Sequence, residues 1–213
     1  MYARPEEYCV GHNAPIFVRR QVTGTPNPGL ARQKAKFEEK AVQNLVFLDF
    51  DDVLAVSPDH TSSHVVTALK TCTADKVPGL WLNIFNETAR KNLRILYDEF
   101  RPKFVISSTW ATYMSREQVE EVLTRSGMAF VAAALHPQWR SAVELGSSRA
   151  SDIRSWLEKN TTLSSFNYVI LDDVASGATM YGSSLESRAV FCDEWEGFLD
   201  ARLVQAQQIL KGC

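Results

Sequence analysis

Leu45-Val46-Phe47-Leu48-Asp49-Phe50-Asp51-Asp52-Val53-Leu54 is the stretch around which the chain is organised. Four apolar residues run into three carboxylates interrupted only by Phe50, and apolar residues resume at Val53. An unbroken apolar run that ends in a polar turn reads as a strand buried on both faces, as in a parallel sheet. Open α/β sheets bind ligands beyond the carboxyl ends of such strands, which puts Asp49 and Asp51 where chemistry is usually done. Two carboxylates that close repel each other unless a shared proton or a cation intervenes. A hard cation held by oxygen, such as Mg²⁺, is the simplest relief.

Two more strands carry the same signature. Lys103-Phe104-Val105-Ile106 runs into Ser107-Ser108-Thr109-Trp110, whose small hydroxyls can donate to a phosphoryl oxygen without crowding it. Asn167-Tyr168-Val169-Ile170-Leu171 ends in Asp172-Asp173, so carboxylates close a second buried strand as they close the first. Ala129 to Leu135 reads as a further strand, with His136-Pro137-Gln138-Trp139-Arg140 a loop on the active face where His136 or Arg140 could touch substrate. Ala189-Val190-Phe191-Cys192 reads as the last strand.

Helical spacing of apolar residues marks Phe85 to Phe100 and Leu199 to Leu210. Ser115-Arg116-Glu117-Gln118 is a capping box that opens a helix ending near Gly127. A further helix begins at Ser147-Ser148-Arg149, with Ile153, Trp156 and Leu157 inward. Arg149 then lies at a helix N-terminus, where charge and backbone dipole both favour an anion. Between Leu54 and Phe85, Ser57-Pro58-Asp59 marks a turn, and His60 and His64 are solvent-facing histidines. The segment is too short for a large covering domain; Trp81 is expected at the lip of an open site.

The 213 residues suit one domain plus an extension, and 45% hydrophobic residues are ample for a core. A net charge of -2 offers no strong field for nucleic acid or anionic membrane. Cys9, Cys72, Cys192 and Cys213 lack zinc spacing, and no apolar run approaches a membrane span. With no signal peptide visible, the expected setting is cytoplasmic, delivery into another cell's cytoplasm included. Residues 1–43 read as an N-terminal extension, with a turn at Thr23–Gly29 and a short helix from Leu30 to Val42; Cys9 and His12 are given no chemistry. Residues 44–213 read as the catalytic domain.

In this order the motifs resemble the haloacid dehalogenase (HAD) superfamily, and more narrowly the small HAD domains of Swiss Army Knife RNA-repair proteins. The narrower resemblance rests on Ile106-Ser107-Ser108-Thr109-Trp110, Arg149 through Leu157, and Ile170-Leu171-Asp172-Asp173. It implies a three-layer α/β/α sandwich with a mostly parallel, Rossmannoid sheet and a small or minimal cap. It implies Asp49 as nucleophile and Asp51 as general acid/base, with Ser107 and Arg149 on the phosphoryl oxygens and Ser108, Asp52 and Trp110 near substrate. Mg²⁺ would be held by Asp49, the backbone carbonyl of Asp51, and Asp173, with Asp172 orienting Asp173 or binding through water. The sequence departs from the family in two places: Asp52 stands where Gly is usual, and Arg149 where Lys is usual, Lys159 being the alternative basic residue. The activity implied is a Mg-dependent phosphohydrolase working through an aspartyl-phosphate on an RNA end, a phosphoprotein or a small phosphoester. A phosphotransferase on the same scaffold and an inert binding module are the alternatives.

Overall fold

The computed structural model describes residues 42–71, 76–77, 79–141, 146–161 and 166–212. The expectations for residues 1–41, Cys72 and Cys213 lie outside them. Five strands form one all-parallel sheet: β1 (Gln43–Leu48), β2 (Lys103–Ile106), β3 (Leu135–Arg140), β4 (Phe166–Asp173) and β5 (Ala189–Cys192), in the order β3-β2-β1-β4-β5. The chain builds outward from β1 to β3 and then returns to the other side of β1. The β1/β4 boundary is therefore the topological switch point, where crevices open at the strand ends.

Helices α1 (Ser62–Lys70), α2 (Leu80–Asn83), α3 (Glu87–Phe100), α4 (Trp110–Tyr113), α5 (Arg116–Arg125), α6 (Ala129–Ala133), α7 (Arg149–Thr161) and α8 (Asp200–Lys211) complete the described elements, with two short 3₁₀ turns, Ser176–Met180 and Glu186–Arg188. Side chains alternate across a strand, and β1 divides accordingly. Val46 and Leu48 face a core shared with α3, α5 and α8, while Leu45 and Phe47 face one built with Ala150, Ile153 and Trp156 of α7 and with Met180. Two cores on opposite faces of one sheet make the expected α/β/α sandwich.

Helix α3 runs from Glu87, capped by Asn86, to Phe100, and the capping box on Ser115 and Gln118 opens α5 as expected. The segment 55–85 does not stand apart as a cap: Val65, Ala68, Leu80 and Ile84 are all buried in the main core. Nor is Trp81 a lip. It packs against that core with the Arg125 guanidinium 4.6 Å above its ring.

One strand is misplaced by the sequence reading. Ala129 to Ala133 is helical, and the strand, Leu135–Arg140, takes in His136 to Arg140, the stretch read as a loop. An alanine-rich run favours helix over sheet, and an edge strand needs few apolar residues and tolerates Pro137. The pairing slips between Phe104↔Leu135 and Ile106↔Arg140, so β3 carries extra residues against β2. His136 consequently lies near the start of β3 and Arg140 closes it. His136 packs edge-on against Trp156, and Arg140 donates to the Ala111 carbonyl.

Candidate active site

The site is assembled by strand alternation at the switch point. Leu45 and Phe47 face α7, so Asp49, two residues on, faces it too; Val105 does the same for Ser107, and Ile170 for Asp172. Backbone bonds extend the sheet one residue further: Asp49 N–H donates to the Leu171 carbonyl (3.0 Å) and Ser107 N–H to the Leu48 carbonyl (2.8 Å). These bonds hold Asp49 and Ser107 on rigid backbone rather than on a loop.

Arg149, the first residue of α7, meets them. Its side chain is 8% exposed; a terminal nitrogen lies 3.1 Å from Asp49 Oδ2, Nε lies 3.0 Å from Asp172 Oδ2, and the other terminal nitrogen donates to the Ser107 carbonyl. Ser148 caps the helix, accepting from Ser151 N–H at 3.2 Å, while Thr179 accepts from Ala150 N–H. The helix start is thereby pinned and aims Arg149 at the strand ends. Lys159 is exposed near the far end of the same helix.

The acids are buried and their charges are in conflict. Asp49, 2% exposed, has its carboxyl raised to about 6 by burial, with Arg149, the Ser108 hydroxyl and Phe50 N–H acting in the opposite direction. Asp172 is driven well above the usual carboxylate range by burial and by the neighbouring Asp49 charge. Arg149 is raised despite its burial, because Asp49 and Asp172 hold its charge. Asp173 Oδ1 accepts from Ala175 N–H (2.7 Å) and Ser176 N–H (2.8 Å), which tie its side chain down.

Oxygens of Asp49, Asp172 and Asp173 lie within 4.8 Å of one another. Asp172 Oδ2 is ion-paired with Arg149 Nε but not aligned for a hydrogen bond to it. Three buried carboxylates whose oxygens converge are a donor set that fits a hard divalent cation. Burial favours a proton on Asp49, so ionising it costs stability; the cost is complete above about pH 6 and fades as pH falls towards 4. A cation needs the ionised form and competes with that proton. Mg²⁺ is therefore expected to raise the melting temperature more at pH 7.5 than at pH 5. Equal shifts at both pH values, read by differential scanning fluorimetry, would speak against a cation on Asp49.

Asp51 stands outside this cluster. Its carboxyl is raised by burial, against which Trp110 Nε1–H donates to Oδ2 at 2.9 Å. Trp110, expected near substrate, is fully buried: its ring packs edge-on to Phe50 at 5.2 Å and stacks on Phe85, leaving its N–H to fix Asp51. Ser108 is also fully buried and serves Asp49.

Asp52 has φ +54, the left-handed conformation that explains why a Gly suits this position. Asp is among the few other residues that adopt it, and Asp52 Oδ1 gains a bond from Trp195 N–H at 3.1 Å. Asp52→Val is expected to destabilise the fold by about 1–2 kcal/mol, with Asp52→Gly nearer to wild type. Urea midpoints would show it, and equal midpoints for the two variants would refute the strain.

The sequence reading missed Ser141. It is fully buried and donates from Oγ to Ser107 Oγ at 3.2 Å, which leaves the Ser107 hydrogen free to be donated elsewhere. Ser141 follows β3 as Ser107 follows β2, but the misplaced strand hid the parallel. Cys192 is a free, buried thiol pushed up to about 12 by burial, an inert packing group.

No curated protein and no solved structure matches the chain. The model of the HAD domain in Swiss Army Knife RNA repair proteins matches residues 45–203, well over half of the chain and every element that builds this site. With an all-parallel sheet, acids at the ends of β1 and β4, and a basic helix start between them, the chain belongs to that family of HAD domains.

Proposed function

We propose that the protein is a phosphohydrolase that cleaves a phosphomonoester through an aspartyl-phosphate on Asp49. The observation that carries this reading is the buried Asp49 carboxylate held 3.1 Å from Arg149 at the switch point, beside two further carboxylates. The family match over residues 45–203 supports placing the chemistry in 44–213 and supports a phosphorylated substrate.

Asp49, Asp173 and the Asp51 carbonyl would hold Mg²⁺, with Asp172 beside them. When bound, the ion masks the repulsion between the Asp49 carboxylate and the phosphate dianion. Asp49 attacks phosphorus, a P–O bond forms on its carboxylate, and the bond to the leaving oxygen breaks. Asp51 gives its proton to that oxygen. Trp110 occupies Asp51 Oδ2, so the proton is carried on Oδ1. Asp51 then takes a proton from water, which attacks the aspartyl-phosphate and restores Asp49. The Ser107 hydroxyl, oriented by Ser141, and the Arg149 guanidinium receive charge on the equatorial oxygens.

The test is phosphate release from a panel of phosphomonoesters with Mg²⁺ and with EDTA, with ATP consumption followed in parallel. Release that needs Mg²⁺ supports the reading. Full activity in chelator defeats metal assistance, and ATP-dependent transfer to an acceptor without release replaces hydrolysis with phosphotransfer.

A further inference from the structure

A cavity of about 230 Å³ opens beside Asp51. Its walls come from three separate segments: the turn after β1 (Asp51, Asp52), the loop before α1 (Ser57 to Thr61), and Glu194-Trp195 after β5. Its position next to Asp51 is decisive. If Asp51 protonates the leaving oxygen, the group that carries that oxygen lies beside Asp51, where this cavity opens.

The cavity's mouth is built to hold an aromatic ring in water. Trp195 is 57% exposed, in a chain whose Trp110 and Trp156 are buried. Its backbone lies at φ +68, where a bulky residue rarely sits. Its N–H is held by Asp52, Phe198 N–H is held by the Val53 carbonyl, and a Cβ on Gly197 would stand 2.9 Å from the Val53 oxygen. The loop is thus locked onto the turn that bears Asp51. An exposed indole at the edge of a cavity offers a face on which a flat ring can stack.

The other walls define what stacks there. His60 and the hydroxyl residues Ser57 and Thr61 offer hydrogen bonds, Asp52 and Glu194 offer acceptors, and among the described residues no Lys or Arg lines the cavity. A flat ring with N–H and O–H donors satisfies these walls; a tyrosyl ring, with only carbon edges, leaves them unpaired. Among the described residues, a second phosphate in the cavity would face the carboxylates of Asp51, Asp52 and Glu194 with no cation opposite. The volume holds a single ring system and not a strand.

We propose that this cavity seats the leaving alcohol, and that Trp195, by stacking, and His60, by hydrogen bonding, select a nucleoside that carries no second phosphate within the pocket. This rests on the hydrolase reading above and adds the leaving group it acts on.

The experiment compares kcat/KM for adenosine monophosphates, adenosine 3′,5′-bisphosphate, a phosphotyrosine peptide and acetyl phosphate, whose leaving group is too small to reach Trp195. Wild type should favour the monophosphates over the bisphosphate at least about tenfold. In Trp195→Ala the ratio of monophosphate to acetyl phosphate turnover should fall about tenfold or more, as loss of one base stack predicts, and Trp195→Phe should recover most of it. His60→Ala should lower the same ratio. In parallel, calorimetry measures adenosine binding to the Asp49→Asn protein with and without Trp195→Ala. Acetyl phosphate turnover with no monophosphate preference overturns the pocket assignment and leaves the hydrolase standing. A phosphotyrosine preference that depends on Trp195 overturns the nucleoside. Trp195-dependent adenosine binding without turnover of any ester supports the pocket and overturns the hydrolase.

Discussion

Asp49→Asn should lower phosphate release by at least about a thousandfold, the scale on which removing a nucleophile acts, while the protein becomes more resistant to heat. Both halves follow from one geometry. Asn is nearly isosteric with Asp, so the bond from Phe50 N–H to Oδ1 can remain, but the amide has no charge with which to attack phosphorus. Burial already penalises the Asp49 charge, holding its proton to about pH 6. Removing the charge relieves that penalty, the usual exchange of stability for activity at a strained site. The sign with pH is definite. A raised carboxyl destabilises the folded state when ionised, so the gain over wild type should be largest at pH 7.5, fall to roughly half by pH 5 and vanish only below about pH 4. Phosphate release and melting temperatures of metal-free protein at both pH values check it. Near-normal release would take Asp49 out of the nucleophile role, and a stability gain that ignores pH would take its buried charge out of the explanation.

The second large effect is expected at Arg149. Arg149→Ala should slow transfer by roughly 30- to 1,000-fold, equivalent to about 2–4 kcal/mol for a preorganised donor. It should also cost about 3 kcal/mol of stability, because Asp49 and Asp172 lose the cation between them. Arg149→Lys should recover part of the rate: the charge survives, but one ammonium cannot reach Asp49, Asp172 and the Ser107 carbonyl as the guanidinium does. Lys159→Ala should change neither quantity, since that side chain is exposed far along α7. Steady-state kinetics with urea titrations on the three variants decide the matter. A crippled Lys159→Ala beside an active Arg149→Ala would reverse the assignment of the basic residue.

Position along a strand could be read from local pattern alone. Leu45 to Leu48, Phe104 to Ile106 and Val169 to Leu171 are apolar runs that only a two-sided parallel sheet buries, and each stops at the residue that enters the site. From those runs the sequence determined the sandwich, the carboxyl edge of its sheet and the placing of Asp49, Ser107, Asp172 and Asp173 along it. The cap on Ser148 placed Arg149 at a helix start for the same reason: capping is a local exchange of hydrogen bonds.

What remained needed contacts between segments far apart in the chain. An alanine-rich run cannot announce that it will be α6 while the polar stretch after it becomes β3, because an edge strand takes its structure from the neighbour it pairs with. Trp110 looked like a substrate contact from its place in the motif; only packing on Phe50 and Phe85 turned its N–H towards Asp51. The link from Asp52 to Trp195 spans 143 positions, and no local period encodes it. The sequence settled which chemical groups lie at the strand ends, since alternation and capping are local. Tertiary structure alone decided which groups orient them and where a cavity opens beside them, since both depend on side chains that meet only after the sheet has closed.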